Sequence, residues 1–412
     1  MIYVFFSFFS FFFKKNIVHV SNLKKINALL LTPFKREVEI DEILENTNNG
    51  IIYLNHDFQK KIHGIFFGKL NNKYYEYVQI INKKKIIIFF YSIFLKNLLI
   101  FLKKKYNLKF VINFAVHYKS EFLYDIISSE LNLNFLTFHR ECMYANENSI
   151  EKISSQLRNT TSFKGAKIIV HNKIVRDVFT KTKYCHKGKI EVIGPLKIDK
   201  NIQNLNSIIK SENKKNILFF IFGTGAMIFD GKDYGSDWSN DIGWFNLLNN
   251  TYKSLIKLSK KFDNCEFIFK AKYDSKQYRE YHFNQIGGHQ YNNLKYFTDD
   301  KNYSLIKKAD LIISFNSTTI MESLLFKKST LIPFFDEALE KKYSKYLGFK
   351  ELINTNLICK NPKILTEKIS NFILKDEKYN LKEPFRTQIL NKYLGEIDGK
   401  NKKRTENLLM KF

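Results

Sequence analysis

Five polar clusters in this chain stand directly behind short apolar runs, where a parallel sheet delivers side chains and backbone amides to a ligand. The first is Asn316-Ser317-Thr318-Thr319, behind the run Leu311–Phe315. Thr319 and Glu322 have the spacing of a capping box, with Thr319 as N-cap. A helix starting there offers free N–H groups, supported by hydroxyls, that can hold a diphosphate without a metal. Glu322 can instead turn outward and accept hydrogen bonds from a ribose or sugar hydroxyl. An ordinary cap explains the same residues equally well.

The second cluster is Gly223-Thr224-Gly225, at the end of the run Asn216–Gly223. Glycines let a backbone approach a phosphate closely. Position 228 is Ile, so this is no dinucleotide fingerprint, and a plain tight turn competes. The third is Lys270-Ala271-Lys272, where one ammonium can offset charge on a departing nucleoside diphosphate. A solvated lysine is the bland alternative. The fourth is His139-Arg140-Glu141. Either His139 or Glu141 can serve as general base toward an acceptor hydroxyl, and Arg140 can contact an anion. A local ion pair would look the same. The fifth is Arg36-Glu37, behind Ile26–Thr32, either an acceptor contact or a capped helix start.

Other chemistries lack their residues. There is no nucleophile elbow, P-loop or His-Glu-x-x-His, and no Asp-x-Asp of the metal-dependent transferase kind. The cysteines 142, 185, 265 and 359 form no C-x-x-C pair, so neither a zinc site nor a disulfide framework is expected. His171-Asn172 and Cys185-His186 receive no role. Asp199 reads as a helix cap or hinge contact.

The clusters need elements to hold them. Apolar runs at 26–32, 50–55, 109–116, 134–139, 166–172 and 190–194 alternate with amphipathic stretches such as 120–132 and 148–159. A mostly polar stretch at 199–215 reads as a linker. A second alternation follows, with runs at 216–223, 265–272, 294–298, 311–315 and 330–335 and helical stretches at 244–262 and 319–328. This β–α–β rhythm predicts two Rossmann-like parallel-sheet domains facing a cleft. The expected boundaries are an apolar N-terminal extension at 1–25, a first Rossmann-like domain at 26–205, a second at 206–380 and a helical tail at 381–412.

The formal net charge is +27, yet only seven of the 67 basic residues are arginine, the side chain that base and phosphate recognition favours. No nucleic-acid module accompanies the charge, so no specific nucleic acid is expected. A positive field suits phosphate-bearing substrates and an anionic membrane face. The first 13 residues are too short to span a bilayer and read as an interfacial anchor or as an extension from a misplaced start. The run at 86–102 carries Lys96 in its middle and reads as a buried or membrane-facing helix. The expected location is the cytoplasm, with peripheral contact at the inner membrane.

The segments 135–199, 243–262, 265–272, 309–338 and 393–409 together resemble surface carbohydrate biosynthesis proteins, relatives of the CDP-glycerol glycerophosphotransferases and capsule transferases. The block at 309–338 is the most specific part. The resemblance implies a GT-B fold and metal-independent transfer without a cofactor. It places a nucleotide-activated sugar or CDP-polyol on the second domain and a carbohydrate or lipid-linked acceptor on the first. His139-Arg140-Glu141 matches a His-Lys-Glu-like motif of such transferases. Lys270-Ala271-Lys272 lacks the histidine that often follows at that point, so a histidine contact to phosphate is not expected there. Two rivals share the residues: a sugar-nucleotide 2-epimerase of the same layout, and a non-catalytic basic protein binding membranes or nucleic acid.

Overall fold

A computed structural model of the chain describes residues 18–31, 38–68, 84–116, 118–203, 214–228, 242–271, 284, 287, 291–298 and 302–412. Arg36 and Lys272, the extension before residue 18, most of the linker and the segment 229–241 lie outside the described residues.

The chain divides into two compact units. Of the described residues, one unit holds those up to Cys142 together with Ile153–Lys200 and Leu394–Phe412; the other holds Met143–Lys152 and those from Asn201 to Tyr393. The expected boundaries need two corrections. Met143–Lys152 belongs with the second unit, and the expected tail is divided, since its last residues return to the first.

The first unit is built on β1 (Val18–Asn22), β2 (Ile26–Leu31), β3 (Asn49–Leu54), β4 (Leu108–Asn113), β5 (Asn134–Phe138), β6 (Lys167–Val170) and β7 (Ile190–Val192). They form one sheet in the order β1-β3-β2-β4-β5-β6-β7. All neighbours are parallel except β1, which runs antiparallel to β3 along the edge. So residues 18–22 are sheet, not part of an apolar extension. The central strands are apolar on both faces because helices cover both. Ala28, Leu30, Ile51, Phe110, Ile112, Leu136 and Ile169 form the core, joined by Leu408 and Leu409 from the last helix. That helix, Asn401–Leu409, is capped across the chain: Asp199 Oδ2 accepts from Lys402 N at 2.7 Å. Asp199 itself sits in the helix Lys197–Gln203, so the expected linker begins as helix.

The second unit holds β8 (Lys215–Phe220), β9 (Cys265–Lys270), β10 (Leu294–Phe297), β11 (Leu311–Ile313), β12 (Ser329–Pro333) and β13 (Ile358–Cys359). They are parallel throughout, in the order β10-β9-β8-β11-β12-β13. Counted along the chain this is 3-2-1-4-5-6, the doubly wound order whose ligand crevice opens where the order reverses. Here the reversal falls between β8 and β11. Leu218, Phe220, Ile268, Leu305, Ile306, Ile312 and Phe326 pack under it.

Candidate functional site

The loops leaving β8 and β11 carry the first two sequence clusters, and the fold sets them side by side. Asn316 Nδ2 reaches Ala226 O at 3.5 Å and Tyr346 O at 3.1 Å, while its Oδ1 accepts from Gly348 N at 2.9 Å. Asn316 has φ 43°, a left-handed conformation that Asn tolerates better than most residues. Its amide is therefore a staple between loops rather than a ligand contact.

In the β8 loop every carbonyl from Gly223 to Met227 is taken by the protein. Gly223 O accepts from Ala226 N and Gly225 O from Ile228 N, both at 3.0 Å, and Thr224 O accepts from Trp244 N at 2.9 Å. Ala226 O accepts from Trp244 Nε1 at 2.8 Å, and Met227 O from Asn146 Nδ2 at 3.0 Å. With the acceptors tied down, the N–H groups of Thr224, Gly225 and Met227 have no partner among the described residues. Met227 has φ 59°, and a left-handed residue within such a turn lets successive N–H groups converge. Gly225 is exposed, and a Cβ built there meets no atom within 4 Å. The loop rests on an aromatic cluster in which Phe315 meets Phe222 at 5.1 Å and Trp244 at 5.0 Å.

The helix after β11 is Thr318–Leu325, and its N-cap is Ser317, not Thr319. Ser317 Oγ accepts from Thr319 N at 3.3 Å and from Thr319 Oγ1 at 2.9 Å. Thr319 is buried, and its hydroxyl lies 2.7 Å from Ser314 Oγ. Because Thr319 donates to Ser317, Ser314 must donate to Thr319. The three hydroxyls thus form a directed chain, Ser314 to Thr319 to Ser317. The proton of Ser317 is left to donate outward, next to the exposed Thr318 at the first helical turn. Glu322 sits half-buried on the next turn, too far along to complete a capping box with Ser317.

Lys270 is neither solvated nor aimed at a ligand. It is 4% exposed, and its Nζ donates to Ala271 O at 2.6 Å and Thr298 O at 2.8 Å, joining the ends of β9 and β10. The lysine stem packs in the sheet and the ammonium finds carbonyls, as a buried charge requires. Glu337, which sequence reading passed over, fills a helix N-terminus with the chain's own carboxylate. Its two oxygens accept from Asn246 N at 2.7 Å and Leu247 N at 2.8 Å, at the start of Phe245–Lys261.

In the first unit the fourth cluster leaves β5. His139 is 1% exposed, its N–H continues the ladder to Ile169 O, and its ring lies 5.3 Å from Phe179. It belongs to the interior, which removes it as a base toward an acceptor. Arg140 is half-buried with its guanidinium 4.7 Å from the centre of the Phe114 ring. Glu141 is exposed. Cys142 binds the strand ends together: its thiol donates to His139 O at 2.9 Å, and its carbonyl accepts from Asn172 Nδ2 at 3.0 Å. His171, at the end of β6, is held neutral. Burial first, then the charges of Lys197 and Arg140, push it down to about 3. The carboxyl ends of β5 to β7 thus gather Arg140, Glu141, His171 and Lys197. The last two had no functional reading in the sequence, because their neighbourhood is made by the sheet order.

These two parallel-sheet Rossmann-like units define the fold class as GT-B. No family model matches the chain, and no curated protein matches it significantly. Solved structures do. A UDP-GlcNAc 2-epimerase from Neisseria meningitidis bound to UDP-GlcNAc superposes with a TM-score of 0.51 at 13% identity, covering 93% of this chain and 99% of that one. A UDP-GlcNAc 2-epimerase from Methanocaldococcus jannaschii in complex with UDP-GlcNAc and UDP gives 0.50 at 15% identity over 94% and 99%. Another UDP-N-acetylglucosamine 2-epimerase gives 0.53 at 11% identity over 95% and 96%. At such identities the likeness is one of fold.

Proposed function

We propose that this chain is an enzyme acting on a nucleotide-activated sugar or CDP-polyol, and that it transfers the activated group to a carbohydrate or lipid-linked acceptor in building a surface polysaccharide. The observation that carries the donor half is the pairing of the Thr224, Gly225 and Met227 amides with the outward-donating Ser317 hydroxyl. Both stand at the reversal point of the second sheet, and both offer donors only. Such a place suits a diphosphate.

In this reading the acceptor hydroxyl attacks the activated carbon or phosphorus and forms the new bond to oxygen. The bond to the diphosphate oxygen, or to the nucleotide phosphate oxygen of a CDP-polyol, breaks with its electron pair. Glu141, the exposed carboxylate of its cluster, takes the hydroxyl proton. The amides and Ser317 stabilise the departing anion, and this charge neutralisation needs no metal. Arg140 and Lys197 supply positive charge for an anionic acceptor. Arg36 and Lys272 keep the acceptor and donor roles that the sequence suggests.

A second reading, a sugar-nucleotide 2-epimerase, is favoured by the fold likeness to 2-epimerases over 93–95% of the chain. The readings separate in one assay. Incubation with a single sugar nucleotide and no acceptor gives an isomerised sugar nucleotide if the chain is an epimerase. Release of nucleotide that requires an added acceptor marks a transferase.

A further inference from the structure

The helix Lys85–Tyr106 has two apolar faces. One carries Tyr91, Phe94, Leu95, Leu98, Leu99 and Leu102, all buried. This face packs in the first unit near β4 and the helices His56–Phe67 and Tyr124–Glu130, with Phe66 meeting Tyr91 at 5.2 Å and Phe94 at 5.8 Å. The other carries Ile86, Phe89, Phe90 and Ile93, spaced i, i+3, i+4, i+7 as one stripe. They are 74%, 61%, 56% and 42% exposed. Single exposed apolar residues are ordinary, but a contiguous stripe with two phenylalanines marks a surface that something covers.

Charge selects the occupant. Lys84 and Lys85 stand at one end of the stripe and the exposed Lys104 and Lys105 lie beyond the other, while Lys96 is paired with Glu130 at 3.1 Å and Lys103 donates to Leu131 O at 2.6 Å. From Lys84 to Ser120 the sequence has no Asp or Glu. We infer that this face lies on an anionic lipid surface. The helix axis runs in the membrane plane, the four apolar side chains enter the acyl boundary, and the lysines reach the headgroups. By length and hydropathy the same helix could cross a bilayer. The buried face argues otherwise, because a span would tear six packed side chains out of the first unit. A second copy on this face would set lysines against lysines, which disfavours self-association.

The test is sedimentation of the full chain with vesicles of phosphatidylcholine alone and of phosphatidylcholine mixed with phosphatidylglycerol. Binding to the mixed vesicles is expected, weakening as salt rises. The double variant Phe89→Ser/Phe90→Ser should lose about tenfold or more in binding while keeping its melting temperature, since both rings are exposed. Lys84→Glu/Lys85→Glu should lose binding to the anionic vesicles selectively. The inference is overturned by no binding to anionic vesicles, or by binding that the phenylalanine variant retains in full. It is equally overturned by a concentration-dependent dimer that the phenylalanine variant abolishes, which would assign the face to a second copy. None of these outcomes depends on nucleotide binding.

Discussion

Asn146 and Asn316 donate to one carbonyl oxygen, that of Tyr346, at 2.7 and 3.1 Å. The Asn146 amide also donates to Met227 O, and the Asn316 carbonyl accepts from Gly348 N. Two asparagines with no ligand role thereby fix the β8 loop, the approach to the helix Thr318–Leu325 and the 346–348 turn as one object. Of the two, the sequence singles out Asn316 as a phosphate contact and passes over Asn146.

A shared acceptor makes a coupling that can be measured. Asn146→Ala leaves Tyr346 O served by Asn316, and Asn316→Ala leaves it served by Asn146. Each single variant should cost about 1–2 kcal/mol, and the double should exceed their sum by about 1 kcal/mol, because only then is the carbonyl stripped. Urea unfolding of the four proteins reads this cycle. Strict additivity would show that the carbonyl is not what links them.

The hydroxyl chain separates folding from binding. Ser317→Ala removes both the helix cap and the outward proton, so it should cost about 1 kcal/mol of stability and also weaken nucleotide binding. Thr319→Val keeps the buried shape but removes the group that orients Ser317. Its loss in nucleotide affinity should be about tenfold, the value of one well-placed hydrogen bond. Titration calorimetry with a nucleoside diphosphate checks both. Full affinity in Ser317→Ala would remove that hydroxyl from the site.

Glu337 should matter to stability without touching a ligand. Glu337→Ala leaves the N–H of the buried Leu247 unpaired and that of the exposed Asn246 to water, a loss of about 1–3 kcal/mol. Glu337→Gln keeps one acceptor oxygen and should fall between. Melting curves of the two variants test the order.

His171 gives the fold an acid sensitivity of known sign. Its ordinary value is 6.5, and burial with Lys197 and Arg140 lowers it to about 3 in the folded chain. Between those values the unfolded chain binds a proton that the folded chain refuses. Stability from this group is therefore full above about 6.5 and falls as the pH drops toward 3. Burial raises Asp41, Asp125 and Asp199, which act in the opposite sense, but wild type and variant share them. His171→Gln should thus gain on wild type in melting temperature as acid is added. Parallel curves for the two proteins would show that His171 titrates normally.

Much of the frame was readable because central parallel strands are apolar on both sides and leave unbroken runs. Runs at 26–32, 134–139 and 265–272 became Ile26–Leu31, Asn134–Phe138 and Cys265–Lys270. The edge strand Val18–Asn22 alternates half-buried and exposed residues, so it carries no such run. The helix cap was misplaced for a local reason. Thr319 has an acidic residue three positions on and Ser317 has Ile320, yet backbone geometry, not that pairing, decides where the helix begins. The sequence could not show that Lys270 would be buried between two carbonyls, or that His139 would lie under Phe179. Both depend on which strands become neighbours.

The most direct test is a thermal-shift series on the purified full chain with CDP, UDP, GDP, CMP and their sugar or glycerol conjugates, repeated on Ser317→Ala. A ligand at 100 times its Kd should stabilise by about 2.7 kcal/mol. The account expects one base to raise the melting temperature selectively in the wild type, and the shift to shrink in Ser317→Ala at equal ligand. No shift with any nucleotide, or an undiminished shift in the variant, would contradict a diphosphate site at the ends of β8 and β11.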